Sequence, residues 1–209
     1  MPLLPPCTPL TEIIDVPTSC LEGFGQVQKV IFQRVFDGAV KNEIVIVTDN
    51  PNVLATWTTL QAAADGTKVT ISPHLQNPES EAGAPRTFGG GNQTTDGIEL
   101  IIGSEPSTFT SIIYNTKQHI AEALKGYMLE QGLGVFLVNE DGNIAGITDD
   151  ILTPTTFAPF PIQSFFVGDK KLGMYEAPDE NAVQWSYPAN WSDKFLVVET
   201  LDFNANTDL

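Results

Sequence analysis

The chain has 209 residues, enough for one good-sized core or two small ones. Charged residues make up only 17% of it, and ten Lys and Arg face twenty-six Asp and Glu, for a formal charge of −16. That sign argues against a docked nucleic acid, whose phosphates it would repel, and no apolar run approaches the ~18 residues of a membrane span.

Residues 1–26 carry Pro2, Pro5, Pro6, Pro9 and Pro17, with Gly23 and Gly25 near their end, and are expected to form an extended arm. Met1 to Leu10 has no basic residue and no apolar stretch of the secretory kind, so a cytosolic origin is expected. Cys7 and Cys20 then read as reduced thiols rather than as a bridge. Val27 to Phe36 is dense in β-branched and aromatic residues and predicts a strand. Asp37-Gly38 marks a turn, Glu43 to Thr48 a second strand, and Asp49-Asn50-Pro51 its end. Leu54, Trp57 and Leu60 fall at helical spacing within Val53 to Ala64, which predicts a short helix. Asp65-Gly66 ends it, and Thr67 to Ser72 reads as a third strand.

His74 to Asp96 contains Pro78, Pro85, Gly83, Gly89, Gly90 and Gly91, with Leu75 and Phe88 as its large apolar residues. It predicts a long loop, a feature that is uncommon in a compact domain unless it has a function. Gly97 to Gly103 follows as a strand, and Ile98, Leu100, Ile101 and Ile102 suggest that it is buried. A long helix is expected over 107–131, entered through Glu105-Pro106, with Ser107, Thr108 or Thr110 as N-cap. Phe109, Ile113, Thr116, Ile120, Leu124 and Tyr127 form its apolar stripe, Lys117, Gln118, Glu122 and Lys125 its polar face, and Gly132 and Gly134 its stop.

Val135 to Val138 and Asn143 to Ile147 flank Glu140-Asp141-Gly142, which is strong hairpin chemistry. Asp149 to Pro161 reads as a Thr- and Pro-rich loop. Ile162 to Val167, Leu172 to Glu176, Val183 to Tyr187 and Phe195 to Leu201 read as four more strands, the first two joined by a turn at Gly168-Asp169-Lys170-Lys171. The fold class is therefore mainly β with one long α-helix (α+β), in a single domain over 27–209.

No constellation points to catalysis, so no enzyme, no metal and no cofactor is expected. Gly89-Gly90-Gly91 lacks the Gly-Lys-Ser/Thr ending of a phosphate loop. Asn139-Glu140-Asp141-Gly142-Asn143 lacks the ligand alternation of a calcium loop, and Asp149-Asp150 is only a pair. His74 and His119 have no second His at metal-ligand spacing. Asn92-Gln93-Thr94 and Asn190-Trp191-Ser192 match the glycosylation sequon by chance if the chain stays cytosolic. Trp185 and Trp191 bracket Tyr187-Pro188. An exposed row of these aromatics would suit a carbohydrate-binding β-sandwich, whereas burial would make them core.

The order of elements from Gly97 resembles the tail tube proteins of tailed bacteriophages and related contractile injection systems. The residues that carry the likeness are the strand at Gly97–Gly103, Glu105-Pro106 before the helix, and the hairpin around Asp141-Gly142. The Gly-rich insertion at 74–96 and the free arm add to it. The resemblance implies a β-sandwich or barrel subunit with a flanking helix. It implies a homo-oligomer, a hexameric ring stacked into a tube, that meets other virion proteins and lets DNA pass without specific binding. The expected place is the virion, after synthesis in the host cytoplasm. Arg86, Phe88, Gly89, Gly90 and Gly91 are then expected in an inter-subunit loop, and Glu43, Glu99 and Glu176 are candidates for an acidic lumen. Tail-terminator, neck, capsid-decoration and head-fibre proteins share the same acidity and strand richness.

Overall fold

Strand β1 (Val27–Arg34) contains the run Val30-Ile31-Phe32, all buried. Side chains alternate across a strand, so such a run needs cover on both faces. The computed structural model, which describes residues 23–93, 97–175 and 177–209, supplies it. Strand β10 (Leu133–Asn139), buried at every position, pairs antiparallel with β1 from Val27 opposite Asn139 to Arg34 opposite Leu133. Val30, Phe32, Leu133, Val135 and Leu137 face one core, and Ile31, Phe136 and Val138 face a second.

These two strands centre a large sheet that also holds β4 (Ile44–Val45), β5 (Thr70–Ile71), β11 (Ile144–Thr148), β12 (Thr156–Ala158), β13 (Phe160–Pro161) and β16 (Phe195–Val198). β10 and β11 pair near Leu137 and Ala145, around the expected Asp141-Gly142 turn, and then diverge. β13 takes up β10 and β12 takes up β11 in the gap, so the sheet curls into a half-barrel. Helix α1 (Leu54–Ala62) and the C-terminal segment cover its second face with Trp57, Phe203 and Ala205. The buried Trp57 indole N–H donates to the Pro51 carbonyl at 2.9 Å, so its polar edge is satisfied.

The first face packs on a four-stranded sheet ordered β14 (Gln163–Val167), β15 (Glu180–Tyr187), β9 (Ser107–Tyr114) and β6 (Gln76–Glu81). Phe109 and Ile113 of β9, Val183, Trp185 and Tyr187 of β15, and Phe165 and Val167 of β14 fill the space between the sheets. Two small ribbons remain, β2 (Phe36–Asp37) with β3 (Val40–Lys41), and β7 (Pro85–Gly89) with β8 (Glu99–Ser104).

The expected long helix over 107–131 is not formed. Its first third is β9, all eight residues of which pair with β15. Phe109 and Ile113 are four apart, a spacing that fits both a strand face and a helix turn. The β-branched and aromatic residues Thr108, Thr110, Ile112 and Tyr114 between and beside them favour the strand. The helix is α2 (Gln118–Gly126) with a 3-10 turn at Tyr127–Leu129, and its N-cap is Lys117, not Ser107, Thr108 or Thr110. Ile120, Leu124 and Tyr127 still pack on the core, and the Tyr127 and Phe32 rings lie 5.3 Å apart.

The stretch 74–96 is likewise no plain loop, since it contains β6 and β7. Residues 94–96 lie outside the described set, as do residues 1–22, which include Cys7, Cys20 and most of the expected arm. The second expected strand shrinks to β4, the loop after Asp149 contributes β12 and β13, and of the strand expected over Leu172 to Glu176 the described residues 172–175 form none, Glu176 lying outside the described set.

Leu124 is 6% exposed and sits among the side chains between the two sheets. Leu124→Ala is expected to cost about 2–5 kcal/mol as a core truncation, read from urea unfolding of the dilute protein.

Candidate functional site

The β7–β8 hairpin is hydrogen-bonded into neither large sheet. It leaves the body after β6 and returns just before β9. At its base Gly83 passes so close to Glu105 that a Cβ there would lie 1.8 Å from the Glu105 carbonyl oxygen. The Glu105 N–H donates to the Ala84 carbonyl at 2.8 Å, and the Gly83 N–H donates to Ser107 Oγ at 3.2 Å. The base is thereby pinned, and the hairpin has a defined direction. At the tip Gly89, Gly90 and Gly91 have φ of 105°, 94° and 56°, a run that side-chain-bearing residues rarely adopt.

Phe88 lies opposite Leu100 and Thr87 opposite Ile101, with a register shift that sets Ile102 out as a bulge. Because neighbouring residues point to opposite faces, Leu100 and Ile101 make both faces of the ribbon apolar. Burial of this strand was the sequence expectation, and the structure reverses it. Phe88, Leu100, Ile101 and Ile102 are 48–75% exposed, and Ile98 is exposed beside them. Arg86 is exposed and has no ion-pair partner among the described residues.

A second apolar projection lies on the connection from β14 to β15. Leu172, Met174 and Tyr175 are 75–105% exposed. With Lys171, Ala177 and Pro178 they line a concavity of about 590 Å³. This projection is also held in shape: a Cβ on Gly173 would lie 1.9 Å from the Ala177 carbonyl oxygen, and the Gly173 N–H donates to Asp179 Oδ1 at 2.8 Å. Lys171 and Glu180 close its neck by backbone hydrogen bonds and by an ion pair of 2.5 Å. The two projections stand at opposite ends of β9. Its Ser107 end carries the hairpin, and its Tyr114 end, which pairs with Glu180, carries the loop.

Arg86, Phe88, Gly89, Gly90 and Gly91 all fall on the hairpin, whereas Glu43 and Glu99 lie at separate elements. Glu43 is exposed beside β4, 3.2 Å from Lys41, in the large sheet. Glu99 is on β8 opposite Gly89, and Glu176 lies outside the described residues.

The aromatics do not form an exposed row. Trp185 stacks on its cross-strand partner Phe109 at 4.1 Å, and Tyr187 stacks on Trp191 at 4.2 Å. Trp185 and Tyr187 are buried and Trp191 is half-buried against the same core. Burial pushes the Tyr187 phenol above its ordinary pKa, which suits a core residue better than a sugar platform.

Asp149 is a loop staple. Its carboxylate accepts from Thr155 Oγ1 at 2.5 Å and from the Thr155 and Thr156 N–H groups at 3.0 Å, and these donors hold its pKa well below the usual carboxylate range. The C-terminal segment caps the Asp141 turn, where Asn204 Nδ2 donates to the Asp141 carbonyl at 3.3 Å. No metal-holding group of three or more His, Cys, Asp or Glu occurs among the described residues. No helix of the described residues is long and apolar enough to cross a membrane.

No family model matches the chain, and no curated protein matches it. Among solved structures, a chain from the tail of an empty GTA particle with C6 symmetry is similar over 61% of this chain and 82% of that one, at 11% identity and a TM-score of 0.34. At that score the likeness does not fix the topology.

Because the hairpin faces touch solvent rather than core, L100S/I101S is expected to leave the stability of the dilute monomer within about 0.5 kcal/mol of the parent. The urea midpoint measures this; a loss of several kcal/mol would place those side chains in a core instead.

Proposed function

We propose that the chain is a structural subunit of a phage-like particle that assembles with copies of itself, and that it builds stacked rings of a tail tube. The observation that carries the assembly half of this reading is the β7–β8 hairpin. A two-stranded ribbon is marginal in water by itself, and this one offers apolar side chains on both faces and outer edges that pair with no third strand among the described residues. Contiguous exposed apolar surface of that kind marks an interaction site. One other edge, β6, is kinked at Asn77 and carries Pro78, Glu79 and Glu81, devices that discourage strand addition. Arg86, Phe88, Gly89, Gly90 and Gly91 are accordingly the inter-subunit segment in this account.

The tube, its hexameric rings and its passage for DNA come from the sequence resemblance. A charge of −16 is compatible with a bore from which DNA must slide free. Glu43, Glu99 and Glu176 are proposed to line that bore. In a tube subunit of this kind no reaction is catalysed and no cofactor is needed.

The test is to replace residues 87–102 by Asn-Gly, a two-residue turn suited to joining the paired Arg86 and Gly103. Under negative stain the parent is expected to form rings or tubes, and the shortened variant to remain a folded monomer. Tubes from the shortened variant would remove the hairpin from the interface, and a parent that forms no closed or stacked assembly would remove the tube. For the bore, E43K/E99K tubes are expected to retain linear DNA that parent tubes release. At 0.15 M salt the Debye length is about 8 Å, so an unchanged release would put both carboxylates on the outer wall.

A further inference from the structure

We propose that the receptor for the β7–β8 hairpin is the apolar loop between β14 and β15 of a second copy of this chain, so that copies join head to tail. This rests on the assembly reading above and names the partner surface that it leaves open.

Both halves of the contact are present on one molecule, and neither can cover the other. They are separated by the length of β9, about 24 Å at the rise of an extended strand. Each is apolar and fully presented: Phe88, Leu100, Ile101 and Ile102 on the hairpin, Leu172, Met174 and Tyr175 on the loop. Each is also held in shape by a glycine packed against a carbonyl, Gly83 under the hairpin and Gly173 under the loop. The shapes are complementary in kind, since the hairpin projects and the loop surrounds a concavity of about 590 Å³.

Charge bears on where a second copy of this chain can dock. A chain at −16 repels its own copies, so contact is cheapest where charge is thinnest. Between Thr87 and Gly103 the sequence has two charged residues, Asp96 and Glu99, and from Leu172 to Tyr175 it has none, with Glu176 next in the chain. The lysines at the loop's neck, Lys170 and Lys171, are already paired with Asp179 and Glu180 in their own copy. Among the described residues of the neck, these pairs leave no lone lysine to be buried against a partner.

Two different patches that meet make a heterologous contact, which closes into a ring or continues as a stack. An isologous contact of hairpin on hairpin would leave the loop exposed. Burying these seven side chains removes about 400–800 Å² of apolar surface from water, less than the roughly 1,200 Å² of a stable pairwise interface. A single junction is therefore weak, so a lone pair forms only at high concentration, whereas large assemblies, in which several junctions act together, appear above a threshold concentration.

The experiment uses two full-length variants, I101D/I102D and M174D/Y175D, with circular dichroism to establish that both fold. Sedimentation velocity of the parent is expected to show large species above a threshold concentration, and each variant by itself to stay monomeric. Mixed in equal amounts at high protein concentration, the variants are expected to stop at a weak one-to-one dimer, because only the intact hairpin of one meets the intact loop of the other. If M174D/Y175D assembles as the parent does, or if the mixture gives no dimer, the loop is not the receptor, while the proposed assembly stands on some other surface. If the parent is monomeric at every concentration, both this contact and the assembly reading fall. Variants that fail to fold would contradict the exposure on which the contact is built.

Discussion

The stacking of Phe109 on Trp185 fixes more of this molecule than any other contact. The two rings are direct cross-strand partners 4.1 Å apart, and they lock the register of β9 on β15. A slip of β9 by one residue would turn Phe109 and Ile113 out of the core that Val183, Trp185 and Tyr187 of β15 still face. That register also decides what projects from each end of the sheet. The hairpin emerges beside Ser107 because β6 pairs there through Glu81 and Thr108, and the loop emerges beyond Tyr114 because Glu180 pairs with it. The same aromatic pair thus holds the core and sets the distance between the two apolar projections.

The second constraint is the double burial of β1 and β10. Their apolar residues point both ways, so the protein needs three layers, with the four-stranded sheet on one side and α1 and the C-terminal segment on the other. The tail is tied down by polar contacts as well, since Asn206 Nδ2 donates to the Asn139 carbonyl at 2.6 Å and the Lys29 ammonium donates to the Asn206 carbonyl at 2.6 Å. With both faces of the central strands spent on these layers, the exposed apolar side chains of the body lie at its margins, among them Val47, Leu129 and Leu152. The hairpin and the loop stand outside it.

Local chemistry was enough to read β1, α1 and the β10–β11 hairpin, because alternation, helical spacing and an Asp-Gly turn each act within a few residues. It misled at 107–114, where Phe109 and Ile113 satisfy two periods at once and only pairing with β15 decides between them. It misled again at 97–103. An apolar strand is normally a buried one, and nothing within Ile98 to Ile102 reveals that its pairing partner β7 belongs to no larger sheet. The inter-subunit role proposed for Arg86, Phe88 and the three glycines rests on resemblance rather than on any local signal. The exposed loop at Leu172–Tyr175 was read as a strand, because Leu, Met and Tyr suit one. The signal against it was the Gly173 and Pro178 that frame it.

Head-to-tail contact makes a claim about two separate segments at once, and hydrogen exchange followed by mass spectrometry can address both in one sample. Peptides covering 85–104 and 170–179 are compared between dilute monomer and concentrated assembly. The account predicts that both segments gain protection together, with β1 equally protected in the two states. Protection gained by the hairpin while the loop exchanges as fast as in the monomer would contradict it.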